Sequence, residues 1–264
     1  MQDSDTVSPT LLVIFRSCSV VASYHGQKRF LDVPKSELLL GCFRSLVTSI
    51  AYAREKTTWN ITLALIDDHS DEAVVKELQQ IARASGTTFS FEALTETTGN
   101  GASLAACYAY ADTASADLLY FVEDDYLHSE GALIEMLEAY QYMRMRLGQE
   151  VVVHPYDSPD RYAAPYLSFI FASSERYWRT VRHTTGTFLV SKDIFTKYRA
   201  KYTDFSTEGE RGIIEDGTIN TIYEEVPCVA PMPSLAVHME SPAHIPPFVP
   251  WRMWWERAVE KKGE

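Results

Sequence analysis

The stretch DLLYFVEDD, residues 117–125, decides the fold class of this chain. Its run of apolar and aromatic residues indicates a buried strand, and the strand ends in three adjacent carboxylates. Three like charges repel one another, so the cluster needs positive charge or water between its members. The stretch therefore predicts either an acidic cap for the following helix or a site for a bound cation.

Similar units of strand and helix surround this stretch. The predicted strands are 11–15, 61–70, 87–94 and 117–125, and the predicted helices are 36–56, 71–86, 100–116 and 129–148. Ser36 and Ser129 are the expected N-caps, and Gly86 and Gly148 the expected stops. Alternating strands and helices are typical of βαβ units, so we predict an α/β fold with a mostly parallel sheet.

The second half of the chain has a different pattern. It predicts a strand at 150–157, strands around a turn at 166–191, helices at 192–202 and 213–226, and a Pro- and Trp-rich tail after 228–240. No linker or internal repeat separates the halves. We therefore predict a single domain over residues 1–264, with a nucleotide-facing half at about 10–150 and an acceptor-facing half at about 151–264.

Composition limits the classes of function. The chain has 264 residues, a net charge of −12 and four cysteines without a CxxC pair. The negative charge argues against a stable nucleic-acid partner. The cysteine spacing suggests neither a zinc site nor a disulfide framework. With no leader-like N-terminus and no long apolar run, the expectation is a cytoplasmic protein without a transmembrane segment.

Polar residues follow three of the predicted strands. They are Arg16 to Ser19, Asp67 to Ser70 and Glu123 to Asp125. Ligands of such sheets bind at the carboxyl ends of the strands, where these groups should meet. Mg²⁺ or Mn²⁺ takes carboxylate oxygens together with substrate phosphates. Ser129 is already a cap for the next helix, so we favour the cation site, with Asp125 on the metal and Glu123 or Asp124 reaching the sugar or a metal-bound water.

The arrangement resembles the GT-A-fold glycosyltransferases of the family 2 type. Those enzymes use a nucleotide-sugar donor and a divalent metal held by an acidic DxD segment after a buried strand. The resemblance implies that Glu123-Asp124-Asp125 is an ExD variant of that segment. IDDHSDE (66–72) is similar to the family's VDDxSxD segment, which implies that Asp67 binds the nucleotide base and Asp68 orders the turn.

Other segments extend the resemblance over residues 10–240. RSCS (16–19) implies donor contacts from Arg16 and Ser17, and TGNGASLAACYAYA (98–111) retains Gly101. The latter lacks the family's arginine, for which Arg16 or Arg182 is the candidate replacement. IIEDGTI (213–219) implies Asp216 as catalytic base with Glu215 beside it, and PSLAVHME (233–240) implies His238 as a metal ligand. The plainer alternatives are a helix N-terminal charge for Asp216 and a core histidine for His238.

The implied reaction is sugar transfer by single displacement with inversion, the metal neutralising the leaving nucleoside diphosphate. By family habit the donor is UDP-linked. Thr185, Gly186 and Thr187 either line the acceptor site or form only a turn and a strand. Trp251 belongs to a tail that packs on the domain, stacks on acceptor or lies at a membrane interface; we favour packing and keep Trp251 as an acceptor-binding candidate.

Two other functions compete with this one. A nucleotidyltransferase of related fold also uses carboxylates and Mg²⁺, but it needs a glycine-rich basic loop after the first strand, and here only Gly26, Lys28 and Arg29 stand nearby. A non-catalytic nucleotide- or sugar-binding module would not need Asp216. The acceptor hydroxyl is left open among a saccharide, a lipid-linked sugar, a protein side chain and a modified nucleobase.

Overall fold

The computed structural model describes residues 8–20, 31–184, 186–208 and 215–260. Its strands are β1 (Thr10–Ser17), β2 (Asn60–Asp67), β3 (Phe89–Ala93), β4 (Leu118–Glu123), β5 (Tyr126–His128), β6 (Val152–Val153), β7 (Ile170–Ala172), β8 (Tyr177–Val181), β9 (Phe188–Ser191), β10 (Cys228–Met232) and β11 (Ala236–His238). Its helices are α1 (Lys35–Lys56), α2 (Glu72–Ala84), α3 (Asn100–Thr113), α4 (Ala132–Leu147), α5 (Lys192–Lys197), α6 (Arg199–Glu208) and α7 (Trp251–Glu260).

A nine-stranded sheet in the order β3-β2-β1-β4-β9-β6-β10-β8-β7 forms the centre of the described part of the chain. Strand β1 pairs in parallel with β2 and with β4, and all strands of this sheet except β8 and β9 run in one direction. The predicted α/β class with a mostly parallel sheet is confirmed. The pairing places Arg16 opposite Glu123 and Ser17 opposite Asp67, so the polar strand ends meet.

Apolar clusters cover both faces of the sheet, which explains the uninterrupted apolar strands. In β1, Leu11, Val13 and Phe15 pack towards α1 and α4, whereas Leu12 and Ile14 pack into a second cluster with residues of α3, α5 and α6. A strand of a parallel sheet is buried on both sides, so its residues do not alternate between apolar and polar.

The acidic stretch does not cap a helix. Strand β4 ends at Glu123, and β5 lies between the acids and α4, which begins at Ala132 after Gly131. Ser129 is therefore not the N-cap; its carbonyl accepts a turn hydrogen bond from the Ala132 N–H. The expected cap Ser36 is also wrong, because α1 begins at Lys35 directly after Pro34.

Two elements of the second half differ from the prediction. The expected helix over 213–226 is, in its described part, two 3₁₀ turns at Glu215–Gly217 and Ile219–Glu224. Ile219 and Ile222 are buried there, and their spacing of three residues suits a 3₁₀ turn better than an α-helix. Strands β5 and β11 form a separate antiparallel pair, with His238 opposite Tyr126. This pair brings the end of the second half to the acidic stretch.

The tryptophan-rich tail packs on the domain, as the favoured alternative predicted. Trp251 is 8% exposed and belongs to an apolar cluster with Leu38 and Cys42 of α1. The ring of Trp255 lies so close to Gly41 that a Cβ there would be 2.4 Å from it. These contacts make Trp251 a packing residue, and its role as an acceptor-binding residue stays a prediction. Within the described residues, every helix is too short or too polar to cross a membrane.

Candidate active site

Glu123 is held by an arginine from the neighbouring strand. Arg16 Nη2 donates to Glu123 Oε1 at 2.6 Å, and Arg16 Nη1 donates to Asn100 Oδ1 at 2.6 Å. The Glu123 N–H donates to Thr187 Oγ1 at 3.0 Å. Burial raises the pKa of Glu123 above its usual range, although the Arg16 charge opposes the change. Arg16 is therefore engaged with an acid of the triplet and with the start of α3.

Asp124 points to the opposite side and meets a lysine that the sequence pattern did not reveal. Lys35, the first residue of α1, forms an ion pair with Asp124 Oδ1, and the Cys18 N–H donates to Asp124 Oδ2 at 2.9 Å. Burial disfavours the Lys35 charge, but the Asp124 and Asp125 carboxylates outweigh it and raise the Lys35 pKa. Asp124 thus joins the end of β1 to the start of α1.

Asp125 contacts His238 and keeps one oxygen without a partner. His238 Nε2 lies 3.3 Å from Asp125 Oδ2, while the buried Oδ1 has no hydrogen-bond partner among the residues that the structure describes. Burial lowers the pKa of His238, but the Asp125 charge and hydrogen bond prevail and raise it to about 9. The same contact, working against burial, holds the Asp125 pKa well below its usual range.

The two acids after β2 have different partners. Asp67 accepts from the Ser17 hydroxyl at 2.7 Å and from the Ser70 N–H at 2.9 Å. Asp68 accepts from the Thr98 hydroxyl at 2.9 Å and from the Gly99 N–H at 2.8 Å. Asp68 therefore fixes the turn before α3, where Gly99 has a φ of 103°. Gly101 is buried in the first turn of that helix.

The expected base lies across a loop from the acidic stretch. Asp216 Oδ1 lies 2.9 Å from His183 Nδ1 and accepts from Asn220 Nδ2 at 3.1 Å. These hydrogen bonds, that of Asn220 first, lower the pKa of Asp216, whose side chain is 62% exposed. Glu215 precedes it in the same turn.

The loop 183–187 joins this region to Glu123. Asn220 Oδ1 accepts from the Thr184 N–H at 3.1 Å, and Thr187 meets Glu123 as described above. A Cβ on Gly186 would lie 2.7 Å from the Glu123 carboxyl carbon, so glycine is what permits this approach. Thr185 lies outside the described residues. Asp216 is connected to the acids through the loop, and no hydrogen bond or ion pair between Asp216 and the triplet is found among the described residues.

The donor set at Asp125 fits a divalent cation. An orphaned buried carboxylate oxygen beside an imidazole nitrogen is a pairing that Mn²⁺ and related ions accept. Two further potential ligands, Glu240 and His244, stand with His238 in a group whose ligand atoms all lie within 4.8 Å of one another. Sequence reasoning missed both, although HMESPAH (238–244) shows them at short spacing.

A cavity lies at the other edge of the sheet. Its volume is about 990 Å³, and its lining includes Asp117 before β4, Tyr140 of α4 and Lys192 of α5. Because ligands of parallel sheets bind at the carboxyl ends of strands, we place the candidate site by its chemistry at the acidic stretch and not in this cavity.

No protein-family model and no curated protein matches this chain. Among solved structures, it is similar to S. aureus TarS residues 1–349 in complex with UDP (13% identity, 75% of this chain and 54% of that one, TM-score 0.47). It is also similar to the mannosyltransferase PcManGT from Pyrobaculum calidifontis in complex with GDP-Man and Mn²⁺ (12% identity, 73% and 47%, TM-score 0.41). A third is a putative glucose-1-phosphate thymidylyltransferase from Bacillus anthracis in complex with a sucrose (10% identity, 89% and 92%, TM-score 0.47).

The chain also matches another structure of TarS residues 1–349 and spans about half of its length, 48% of that chain. The structures similar to this chain thus include a mannosyltransferase and a putative thymidylyltransferase.

Proposed function

We propose that this chain is a metal-dependent, inverting glycosyltransferase that moves a sugar from a nucleotide-sugar donor, UDP-linked in the first instance, to an acceptor hydroxyl. The observation that carries the proposal is the state of the acidic triplet. Glu123 and Asp124 are paired with the permanent cations Arg16 and Lys35, whereas Asp125 keeps a buried oxygen that has no partner in the described part of the chain. A buried, unsatisfied carboxylate oxygen is costly, and a bound cation would satisfy it.

Asp125 and His238 would hold the divalent ion in this proposal. When bound, the ion would neutralise the charge that develops on the leaving nucleoside diphosphate. Asp67 ends β2 and Ser17 ends β1, and the two side chains are joined by a 2.7 Å hydrogen bond. In the proposal they would contact the nucleotide base. Arg16, Glu123 and Gly101 lie around the adjoining start of α3, where they would orient the sugar.

Asp216 is the proposed base for the acceptor. Its carboxylate is ionised at neutral pH, because the Asn220 and His183 hydrogen bonds lower its pKa, and its exposed side chain is accessible to an acceptor arriving from solvent. It would take the hydroxyl proton as the oxygen attacks the anomeric carbon. Gly186 and Thr187 place the acceptor loop against Glu123, so acceptor and donor would meet at this loop.

The test is a donor-binding and turnover experiment. Thermal unfolding would be measured with UDP-, GDP- and dTDP-sugars, each with Mn²⁺, with Mg²⁺ or with EDTA, and donor hydrolysis would be followed in parallel. We expect one nucleotide class to raise the unfolding temperature only with metal, and Asp125→Asn to abolish that shift. Asp204→Asn, an exposed acid on α6, is the matched control and should behave as wild type. No shift with any donor would overturn the proposal.

A further inference from the structure

A group of potential metal ligands extends away from Asp125 along the segment after β11. Going from Asp125 to His244, successive ligand atoms are 3.3 Å apart (Asp125 Oδ2 to His238 Nε2), 3.8 Å (His238 Nε2 to Glu240 Oε2) and 3.5 Å (Glu240 Oε2 to His244 Nδ1). Two atoms bound to one ion at ~2.1 Å lie roughly 3.0 to 3.5 Å apart in octahedral or tetrahedral geometry. The ligand atoms of His238, Glu240 and His244 all lie within 4.8 Å of one another, and Asp125 borders this group through its contact with His238.

The two histidines are held in place by neighbours that are not themselves ligands. The His238 ring stacks on Tyr126 with centroids 4.9 Å apart, and Tyr156 packs against it edge-on at 6.3 Å. His244 ends a 3₁₀ turn in which its N–H donates to the Ser241 carbonyl at 3.0 Å, and its own carbonyl accepts from Tyr156 at 2.8 Å. Ligands fixed in this way lose little freedom on binding an ion.

Among the described residues, two buried atoms at this site make no hydrogen bond, although one of them, His244 Nδ1, lies 3.5 Å from Glu240 Oε2. They are Asp125 Oδ1 and His244 Nδ1. Buried polar atoms in proteins are nearly always satisfied, so each orphan requires an explanation. An ion held by His238, Glu240 and His244 would engage His244 and would lie beside Asp125.

We propose that Glu240 and His244 join His238 as protein ligands of a single divalent first-row transition-metal ion beside Asp125. The inference rests on the proposed function, because it concerns the ion of the same site. Two imidazoles and a carboxylate suit Mn²⁺, Co²⁺ or Zn²⁺, whereas Mg²⁺ is usually held by one or two carboxylates with waters and phosphates. With three protein ligands, we expect the site to bind its ion before the nucleotide arrives.

The experiment measures metal binding by the full chain without any nucleotide. Co²⁺ is titrated by visible absorption and Mn²⁺ by calorimetry, with wild type, Glu240→Gln and His244→Gln; Glu256→Gln, an exposed glutamate on α7, is the control. We expect one ion per chain in wild type and in the control. Each of the two test variants should bind at least about tenfold more weakly, since even outer-shell changes at metal sites cost that much.

A second measurement does not depend on the folding of any variant. Pulsed electron paramagnetic resonance of the wild-type Mn²⁺ complex detects couplings from directly bound imidazole nitrogens. Two such nitrogens are expected, and a single one would overturn the proposal. Unchanged affinity in both test variants, or no binding of Co²⁺ and Mn²⁺ without nucleotide, would overturn it as well while leaving the glycosyltransferase proposal standing. Metal binding as expected, with no donor bound or consumed, would instead reject the proposed function.

Discussion

The sharpest test of the site geometry is Gly186→Ala. A Cβ at this position would lie 2.7 Å from Glu123 Cδ and 2.8 Å from Oε1, where ordinary contact begins at 3.4 Å. The carboxylate would have to retreat by at least about 0.7 Å, the difference between a clash and van der Waals contact. The Glu123 carboxylate lies at the end of a flexible side chain, so the fold should tolerate the movement. The 2.6 Å hydrogen bond from Arg16 would, however, be broken or bent.

The expected cost follows from that hydrogen bond. Hydrogen bonds to charged groups stabilise proteins by about 1.5–3 kcal/mol, and we expect about 1–2 kcal/mol here because solvent partly screens the pair. The two side chains are 16% and 22% exposed. Urea denaturation would measure the change in the free energy of unfolding. Calorimetric titration of a nucleotide sugar would show whether donor affinity falls with it.

A double-mutant cycle isolates the cause. In a Glu123→Ala background the obstructing carboxylate is gone, so adding Gly186→Ala should change the free energy of unfolding by less than about 0.5 kcal/mol. An equal loss in both backgrounds would show that the alanine acts through the loop backbone and not through Glu123. That result would refute the steric account of why glycine stands at this position.

Three further predictions concern other parts of the molecule. Gly41→Ala should destabilise the fold by about 1–3 kcal/mol in urea denaturation, because the rigid Trp255 ring must move off α1, and a Trp255→Ala background should remove most of that loss. Asp216→Asn should lower transfer by about 10²–10⁴-fold while leaving donor affinity unchanged; undiminished turnover would reject Asp216 as the base. Burial lowers the pKa of His128 from 6.5 to about 4, so the unfolded chain binds its proton first as the pH falls. The free energy of unfolding should therefore not depend on His128 above pH 6.5 and should fall by up to about 3 kcal/mol by pH 4. Urea denaturation of His128→Gln at several pH values should lack this part of the pH dependence.

The first half of the fold could be predicted because its signals are local. Buried strands such as β1 are uninterrupted apolar runs, and the left-handed conformation at Gly148 ends α4 as expected. The expected caps Ser36 and Ser129 failed because a serine before a helix is only a preference, while the backbone around Pro34 and Gly131 set the actual starts. Strands β5 and β11 were missed because three-residue strands carry no periodicity.

The candidate site was predictable only in part, for a related reason. Which carboxylates gather at one edge follows from strand order, so Arg16, Asp67 and the triplet were placed together by the sequence pattern alone. Which cation pairs with which carboxylate depends on long-range packing. Lys35, for example, is 89 residues from Asp124 in the chain. No local pattern encodes such a pair. The roles of these residues in binding and catalysis remain predictions.

In the proposed site, the positively charged partners of the three carboxylates would leave only Asp125 to bind a metal. Arg16 remains protonated under all ordinary conditions, and the ion pair raises the pKa of Lys35, so Glu123 and Asp124 keep permanent protein partners. His238 differs in kind, because an imidazole that gives up its proton becomes a ligand for the ion that replaces the charge. In the proposal, Asp125 is therefore the acid whose partner would change from a counter-charge to a fellow ligand. The triplet of like charges would then consist of two structural ion pairs and one exchangeable site, which contacts the His238, Glu240 and His244 group through His238.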